Sequence, residues 1–245
     1  MLWAPRRKTQ IFANVSRSFE PPDQFEFSPA SNLANLDAQR ATTVEAGTRG
    51  GDHSFGWDFA GYYSWVDKEI FSIQTPPNSG QFVTFNRYRT RHAGIEAGVH
   101  GKLPAELARG SVTWNLAYTW SRFRFANDPD FGNNRLPIVP KHFARLDVSW
   151  RHPSGFYVGP KLEVASDLFV DLANTLRSPG YAVVGATIGY SHEGRYRIFM
   201  DFRNLGDRYY AASTEYVVNA GGRDAEAFNP GLTRSVFGGV EVKLW

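Results

Sequence analysis

Hydrophobic and polar residues alternate over long stretches of this chain. In the clearest stretch, 111–125, the even positions begin with five large apolar side chains: Val112, Trp114, Leu116, Tyr118 and Trp120. The odd positions between them carry small or polar side chains. A period of two residues predicts a β-strand with one apolar face. That face runs from Val112 to Trp120, which matches the roughly 9–11 residues that a tilted strand needs to cross the hydrocarbon layer.

The end of the chain predicts three more strands, around which the rest is arranged. Residues 181–191 alternate, a short turn follows at 192–194, and 196–203 resume the alternation. A loose polar loop then leads to a last strand that ends at Trp245. A soluble sheet would bury the apolar set in a core, whereas a transmembrane barrel turns it to lipid and turns the charged set to a wet interior. The pattern alone leaves both architectures open.

The same alternation predicts six further strands, about ten in all, and the tail of another at Leu2 and Trp3. The six ranges are 9–19, 42–50, 57–73, 90–98, 142–151 and 156–164. Short turns, at 5–8, 50–52 and 152–155, alternate with long loops, at 23–40, 75–89 and 126–141. Consecutive antiparallel strands need only hairpins, so an up-and-down meander is predicted. Pro160 falls inside a strand and predicts a bulge or an unpaired position.

Charged residues of both signs collect on the face opposite the apolar one. They are Glu45, Arg49, Glu96, Arg145, Asp147, Lys161, Glu163, Arg197, Asp201, Arg203, Glu241 and Lys243. In a barrel they would line the inner wall and form cross-strand pairs. In a soluble protein they would be a solvated face.

Composition narrows the classes further. The 245 residues include 15% aromatics, 23 glycines, two methionines and no cysteine, which suits strands and turns and excludes disulfides and thiolate sites. No apolar run reaches the roughly 18 residues of a helical membrane span. A mean hydropathy of −0.39 is compatible with a barrel, because barrel strands are only half apolar. The net charge of +3 forms no basic stripe, which argues against a nucleic-acid partner.

Patterns of catalytic chemistry are poor. The six histidines never come at a close metal-ligand spacing, and the sequence has no Gly-x-Ser-x-Gly elbow and no phosphate-binding loop. A dispersed Ser, His and Asp set would be compatible with the hydrolases that occur on small outer-membrane barrels. The sequence nevertheless predicts no enzyme, with no catalytic residues, no metal site and no cofactor.

Several short motifs resemble those of a known family. The most specific are Asn204-Leu205-Gly206-Asp207-Arg208-Tyr209-Tyr210 and Asn229-Pro230-Gly231-Leu232-Thr233-Arg234, the latter followed by a strand that ends on an aromatic residue. Weaker ones lie at 14–22, 43–47, 90–98 and 134–142. By these motifs and their order, nearly the whole chain resembles TonB-dependent outer-membrane receptors of the siderophore type.

The resemblance implies an all-β fold, an antiparallel up-and-down transmembrane β-barrel. About ten strands would form part of a barrel of roughly 22, with the plug domain absent. Residues 1–245 would be the C-terminal portion of the barrel, after a signal peptide, TonB box, plug and the first strands. The expected location is the outer membrane of a Gram-negative bacterium.

The implied function is TonB-energised uptake of a ferric siderophore or a similar scarce iron chelate. The TonB complex would act through the plug and the TonB box, and outer-membrane lipid would surround the wall. The barrel assembly machinery would read the last strand at Val240, Val242, Leu244 and Trp245. Trp245 departs from the family pattern, since it lies one place beyond the apolar phase of the other three.

Ligand contacts are expected near the outer loops. Iron chelates of this kind are usually anionic or rich in oxygen, so arginine and tyrosine are the physical candidates. The candidates are Arg87, Tyr88, Arg89, Arg91, Arg122, Arg124, Arg208, Tyr209 and Tyr210. The alternative for each loop arginine is a simply solvated side chain.

Two other classes remain open at this point. A passive porin or small closed barrel would need strands that pair first to last. A soluble β-sandwich or sheet-based binding module would bury the tryptophan, leucine and valine stripes against one another.

Overall fold

The computed structural model describes residues 1–6, 8–22, 36–74, 82–103, 109–192, 195–225 and 227–243. The strands in these ranges are β1 Leu2–Arg6, β2 Thr9–Glu20, β3 Gln39–Gly51, β4 Phe55–Gln74, β5 Phe82–Leu103, β6 Ser111–Phe125, β7 His142–Arg151, β8 Phe156–Ala165, β9 Leu168–Phe169, β10 Arg177–Ser178, β11 Tyr181–His192, β12 Tyr196–Arg203, β13 Ala211–Thr214, β14 Phe228–Pro230 and β15 Ser235–Val242. Among these residues no helix is long and apolar enough to cross a bilayer.

Eleven strands form one sheet in the order β1-β2-β3-β4-β5-β6-β7-β8-β11-β12-β15. Every neighbouring pair in it is antiparallel. The short pairs β9–β10 and β13–β14 lie within two of the connections. The predicted meander is therefore confirmed: all ten predicted strands are present, and β1 is an eleventh.

The outward face of the sheet is a set of continuous apolar rows. Leu116 on β6 lies beside Val99 on β5 and Leu146 on β7. The row continues through Leu162 on β8 to Val184 on β11. Elsewhere on this face apolar side chains stay open to the surroundings, as with Ile95 at 50% exposure and Met200 at 48%. In the described ranges no second layer covers these rows, which is the arrangement a lipid-facing stripe requires.

The inward face carries the predicted ion pairs. Asp201 on β12 accepts hydrogen bonds from Lys161 Nζ at 3.0 Å, Thr187 Oγ1 at 2.7 Å and Arg203 Nε at 2.8 Å. Arg197 lies 3.6 Å from Glu241 on β15. The carboxylate of Asp201 thus links β8, β11 and β12 on the inward face of the sheet. In a soluble sheet, these charged side chains would instead lie on an outer face in contact with water.

Short turns and long connections lie at opposite ends of the sheet. At the turn end, Asp52 caps the β3–β4 turn by accepting from the backbone N–H groups of Ser54 at 2.8 Å and Phe55 at 3.2 Å. These hydrogen bonds lower the pKa of the exposed Asp52 carboxyl. At the other end, here called the loop end, the long connections that the structure describes throughout or nearly throughout are 126–141, 166–180 and 204–234. Bacterial barrels keep their long loops outside, so in such a barrel the loop end would be the extracellular side.

Two predicted boundaries are wrong. The range 75–89 was expected to be a loop, but β5 begins at Phe82 and pairs with the upper part of β4 as far as Gln74. The strands β4 and β5 extend above the apolar stripe because their backbone hydrogen bonds form whether or not lipid covers their side chains. At the other end, Pro5 and Arg6 belong to β1 rather than to a turn. The predicted ranges 23–35 and 75–81 and the residues Glu193 and Gly194 lie outside the described residues.

Pro160 resolves one alternative left by the sequence. The β7–β8 ladder pairs Asp147 with Lys161 and then Trp150 with Val158, so the register is the same on both sides of the proline. No residue is inserted, and the positions between these pairs are unpaired in this ladder, although Pro160 pairs with Ala186 of β11 on its other side. The proline therefore interrupts the ladder without a bulge, as its missing N–H requires.

Candidate ligand-binding surface at the loop end

The long connections pack together around a buried aromatic cluster, here called the loop core. Its buried members are Phe71 of β4, Phe125 of β6, Leu136 and Leu172. Phe85, Phe123, Phe131 and Tyr216 pack against them. Leu136, Leu172 and Tyr216 come from three different connections. Because apolar side chains meet here from distant parts of the chain, the loop end is a packed structure of its own.

Tyr216 joins the last connection to β4. Its ring contacts Phe71 edge-on with the centroids 6.1 Å apart, and its hydroxyl accepts a hydrogen bond from the backbone N–H of Ser72 at 3.1 Å. Burial raises the pKa of the Tyr216 phenol. The connection 204–234 therefore reaches across the mouth of the sheet to the opposite wall.

Asp171 is the polar anchor of the loop core and is fully buried. Its carboxylate accepts hydrogen bonds from Thr175 N at 2.8 Å, Thr175 Oγ1 at 2.6 Å, Leu176 N at 2.9 Å and Ala220 N at 3.2 Å. Four donors satisfy a buried charge that would otherwise be costly. The bond to Ala220 ties the connection 166–180 to the connection 204–234.

Two side-chain amides link the remaining pair of connections. Asn174 Nδ2 donates to Arg135 O at 2.8 Å, and Asn174 Oδ1 accepts from Arg135 N at 2.9 Å. Asn134 Nδ2 donates to Leu172 O at 3.1 Å. These bonds join the connection 126–141 to the connection 166–180, so all three long connections are linked.

A cleft of about 630 Å³ lies between the connections 166–180 and 204–234, here called the outer cleft. Its walls include aromatic rings, prolines and two cations: Arg177, Pro179, Arg208, Tyr209, Tyr210 and Phe228. A second concavity of about 330 Å³, the inner concavity, lies on the inward face and includes Lys161, Asp201 and Arg203. Tyr210 lines both. Asp224 also lines the outer cleft, so its wall combines aromatic rings with two guanidinium groups and one carboxylate. With one more cation than anion, such a wall suits an anionic ligand with flat groups.

Three of the predicted candidates meet in the outer cleft. Tyr209 is 85% exposed, and the ring of Tyr210 packs on Tyr181 with centroids 4.6 Å apart. The Arg208 side chain has no hydrogen-bond or ion-pair partner among the described residues. Arg177 was missed by the sequence analysis, since nothing in a polar loop marks which arginine will face a cleft. It pairs with Asp167 at 2.9 Å and lies over the Phe169 ring.

The other six candidates lie on the upper parts of β5 and β6, outside the outer cleft. Arg87, Tyr88 and Arg89 were expected in the loop 75–89 and belong to β5 instead. Arg87 is held between the rings of Phe85 and Phe131 and lies 2.6 Å from Asp130 and 3.7 Å from Asp128.

Four of the remaining five lie close to other groups of the protein. Arg89 pairs with Asp67 at 3.4 Å and lies over the Tyr88 ring. Arg91 donates to Thr90 O, and Arg124 donates to Asn133 Oδ1 at 3.3 Å. Arg122 is exposed beside Ala93 on the outward face.

Comparison with known proteins gives the family. The model of the family described as TonB dependent receptor-like, beta-barrel, matches residues 1–205. This chain belongs to the TonB-dependent receptor β-barrel family. Its eleven-stranded sheet is therefore a section of an outer-membrane β-barrel of a Gram-negative bacterium. The match favours neither the passive porin nor the soluble binding module.

Individual relatives are distant but extensive. The chain is 23% identical over 248 aligned positions to the probable TonB-dependent siderophore receptor PiuA of Acinetobacter baumannii, covering 90% of this chain and 31% of that protein. It is similar in structure to the ferric-catecholate import receptor Fiu of E. coli K12, with TM-score 0.71, 22% identity and coverage of 98% and 33%. The copper transporter OprC matches with TM-score 0.77, 16% identity and coverage of 98% and 38%. The chain thus spans about a third of the length of these relatives, which are named as receptors and transporters.

The residues expected to form the barrel-assembly signal are partly described. Val240 on β15 lies beside Ile198, and Val242 lies beside Tyr196. Both valines are exposed on the outward face, at 66% and 62%. Leu244 and Trp245 lie outside the described residues. Recognition by the assembly machinery of this TonB-dependent barrel stays a prediction.

No group of three or more His, Asp or Glu side chains in the described ranges is placed to hold a metal ion.

Replacing Arg87 by alanine is expected to loosen the loop at 126–134. The Arg87 side chain is only 17% exposed, so its contact with the buried Asp128 and its two ring contacts are shielded, whereas Asp130 is 64% exposed. Together these contacts contribute about 2 kcal/mol. Hydrogen exchange of the loop amides in the purified receptor measures this. Arg89→Ala is the matched control, because its pair with Asp67 is about half exposed and contributes less than about 1 kcal/mol. Equal protection in the two variants would contradict a structural role for Arg87.

Proposed function

We propose that residues 1–245 form the C-terminal portion of the barrel of a receptor for TonB-energised uptake of a ferric siderophore or similar iron chelate. The observation that carries this is the outer cleft, in which Arg208, Tyr209 and Tyr210 meet at the extracellular end of a TonB-dependent receptor barrel. The names of two matched proteins support the ligand class, since PiuA is a probable siderophore receptor and Fiu a ferric-catecholate import receptor.

In this proposal the barrel wall binds the ligand, and the plug of the complete receptor undergoes the movement that transport requires. An anionic chelate is drawn to the guanidinium of Arg208, which has no ion-pair partner in the part of the chain that the structure describes. The rings of Tyr209 and Tyr210 supply flat contact area. A charge-assisted hydrogen bond in a partly dry cleft is about twice as strong as a neutral one. The inner concavity on the far side of Tyr210 offers the next set of charged groups along the barrel interior.

Three partners besides the ligand follow from this role. A plug and TonB box would couple the receptor to the inner-membrane TonB complex, which would supply the energy. Outer-membrane lipid would cover the apolar rows, and the barrel assembly machinery would insert the wall through β15. This barrel section alone would bind poorly and transport nothing, and it would catalyse no reaction.

Replacing Arg208 by glutamine in the complete receptor is expected to weaken ferric siderophore binding about tenfold. Glutamine keeps a similar length and loses the charge, and a hydrogen bond to a charged group contributes about 1.5–3 kcal/mol. Binding is measured by quenching of intrinsic fluorescence as a ferric chelate is added. Arg195→Gln, an exposed arginine at the turn end, is the control and should bind as the unchanged receptor does. If both variants bind equally well, the outer cleft is not the binding surface.

A further inference from the structure

Asn204 follows directly after β12 and is 2% exposed. Its backbone is left-handed, with φ of 49°, a conformation that asparagine adopts more readily than most residues. Its side chain is fully engaged: Nδ2 donates to Arg208 O at 2.8 Å and to Leu232 O at 2.9 Å, and Oδ1 accepts from Arg208 N at 2.8 Å. One buried amide thus holds both backbone polar groups of Arg208.

Two further contacts close the same segment. Asp207 Oδ1 accepts from Arg234 N at 2.9 Å, and Tyr210 O accepts from Gly231 N at 2.8 Å. The Tyr210 ring lies directly over Gly231, where any side chain would collide with it. The start of the connection 204–234 is therefore fastened to its end, and the amide of Asn204 lies at the centre of the fastening.

We propose that Asn204 is a positioning residue for ligand binding. It fixes the backbone of Arg208, so that the guanidinium enters the outer cleft, and it fixes Tyr210 as the partition between that cleft and the inner concavity. Asn204 lines the inner concavity but not the outer cleft, so on the outer cleft it acts through Arg208 and Tyr210. This inference rests on the proposed function only for the identity of the ligand.

The amide is specifically suited to this role. Aspartate could still accept from Arg208 N, but its charge would face the carbonyl oxygens of Arg208 and Leu232. Glycine tolerates the left-handed backbone and removes only the hydrogen bonds. Asn204→Gly therefore tests the loss of the three side-chain hydrogen bonds without adding backbone strain.

The first experiment needs no ligand. Hydrogen exchange of the complete receptor in detergent is compared between the unchanged protein and Asn204→Gly. We expect amides in 205–211 and 231–234 to exchange at least tenfold faster, with the amides of β11 and β12 unchanged. Unchanged exchange in 205–211 would overturn the proposal, and faster exchange throughout β12 would show a general folding role instead.

The second experiment is a double-mutant cycle on the affinity for a ferric siderophore. Asn204→Gly and Arg208→Gln should each weaken binding about tenfold, and the double variant should be no weaker than Arg208→Gln by more than about twofold, since residues that act through one another are non-additive. Fully additive losses would overturn the coupling. If the unchanged receptor binds no ferric chelate, the proposed function fails, while the exchange experiment still decides whether Asn204 holds Arg208 in place.

Discussion

Replacing Leu116 by arginine is expected to prevent most of the receptor from reaching its folded form in the outer membrane. Leu116 lies at the middle of the apolar rows, with Val99 on one side and Leu146 on the other. An arginine on the lipid face at the bilayer midplane costs roughly 2–4 kcal/mol. The folded fraction is measured as the heat-modifiable band of the complete receptor in outer-membrane preparations.

The neighbouring position supplies the control. Asn115 is the preceding residue on β6, faces inward and lies beside Asp147. Asn115→Arg places the same charge on the wet face, next to a carboxylate, and should leave the folded fraction within error of the unchanged receptor. Equal folding of the two variants would mean that the outward face of β6 does not contact lipid.

Replacing Asp171 by alanine should release the loop core. The change leaves the backbone N–H groups of Thr175, Leu176 and Ala220 without their acceptor in a buried site. Each hydrogen bond to a charged group contributes about 1.5–3 kcal/mol, so a loss of at least about 3 kcal/mol is expected in the local stability of the loop end. Limited proteolysis within 166–180 and 215–225 reports the opening.

A surface carboxylate in the same connection is the comparison for this variant. Asp167 pairs with Arg177 while both side chains are about half exposed, and its replacement by alanine should cost less than about 1 kcal/mol. Cleavage at the same rate in the two variants would contradict the role of Asp171 as the anchor.

The strands and their faces were predictable because one physical rule governs them. A wall with lipid on one side and water on the other imposes a period of two on every strand, and the row from Val99 to Val184 follows from it. The pairing of inward charges was predictable for the same reason, since Lys161 and Arg203 share one face with Asp201.

The loop end was not predictable in the same way. Above the membrane neither face of a strand contacts lipid, so the segment from Phe82 to Arg89 lacks the alternation of apolar and polar residues. Its sequence therefore predicts a loop. The loop core depends on contacts between residues far apart in the chain, such as Ser72 with Tyr216, which no local pattern encodes. Asn204 belongs to a motif that the sequence analysis identified. Its role in joining the two ends of the connection 204–234 depends on the position of the Leu232 carbonyl, which is 28 residues away in the chain.

The direction of the two outermost strands has a geometric consequence. The sheet has eleven strands that alternate in direction, so its first strand, β1, and its last, β15, run in the same direction. In the described ranges each of these two strands pairs on one side only. Joining these free edges, within one copy or between two, would create a parallel seam. A ring that is antiparallel throughout has an even number of strands. A sheet that completes this one into a fully antiparallel barrel must therefore contribute an odd number of strands. Its two outermost strands must both run antiparallel to β1 and β15.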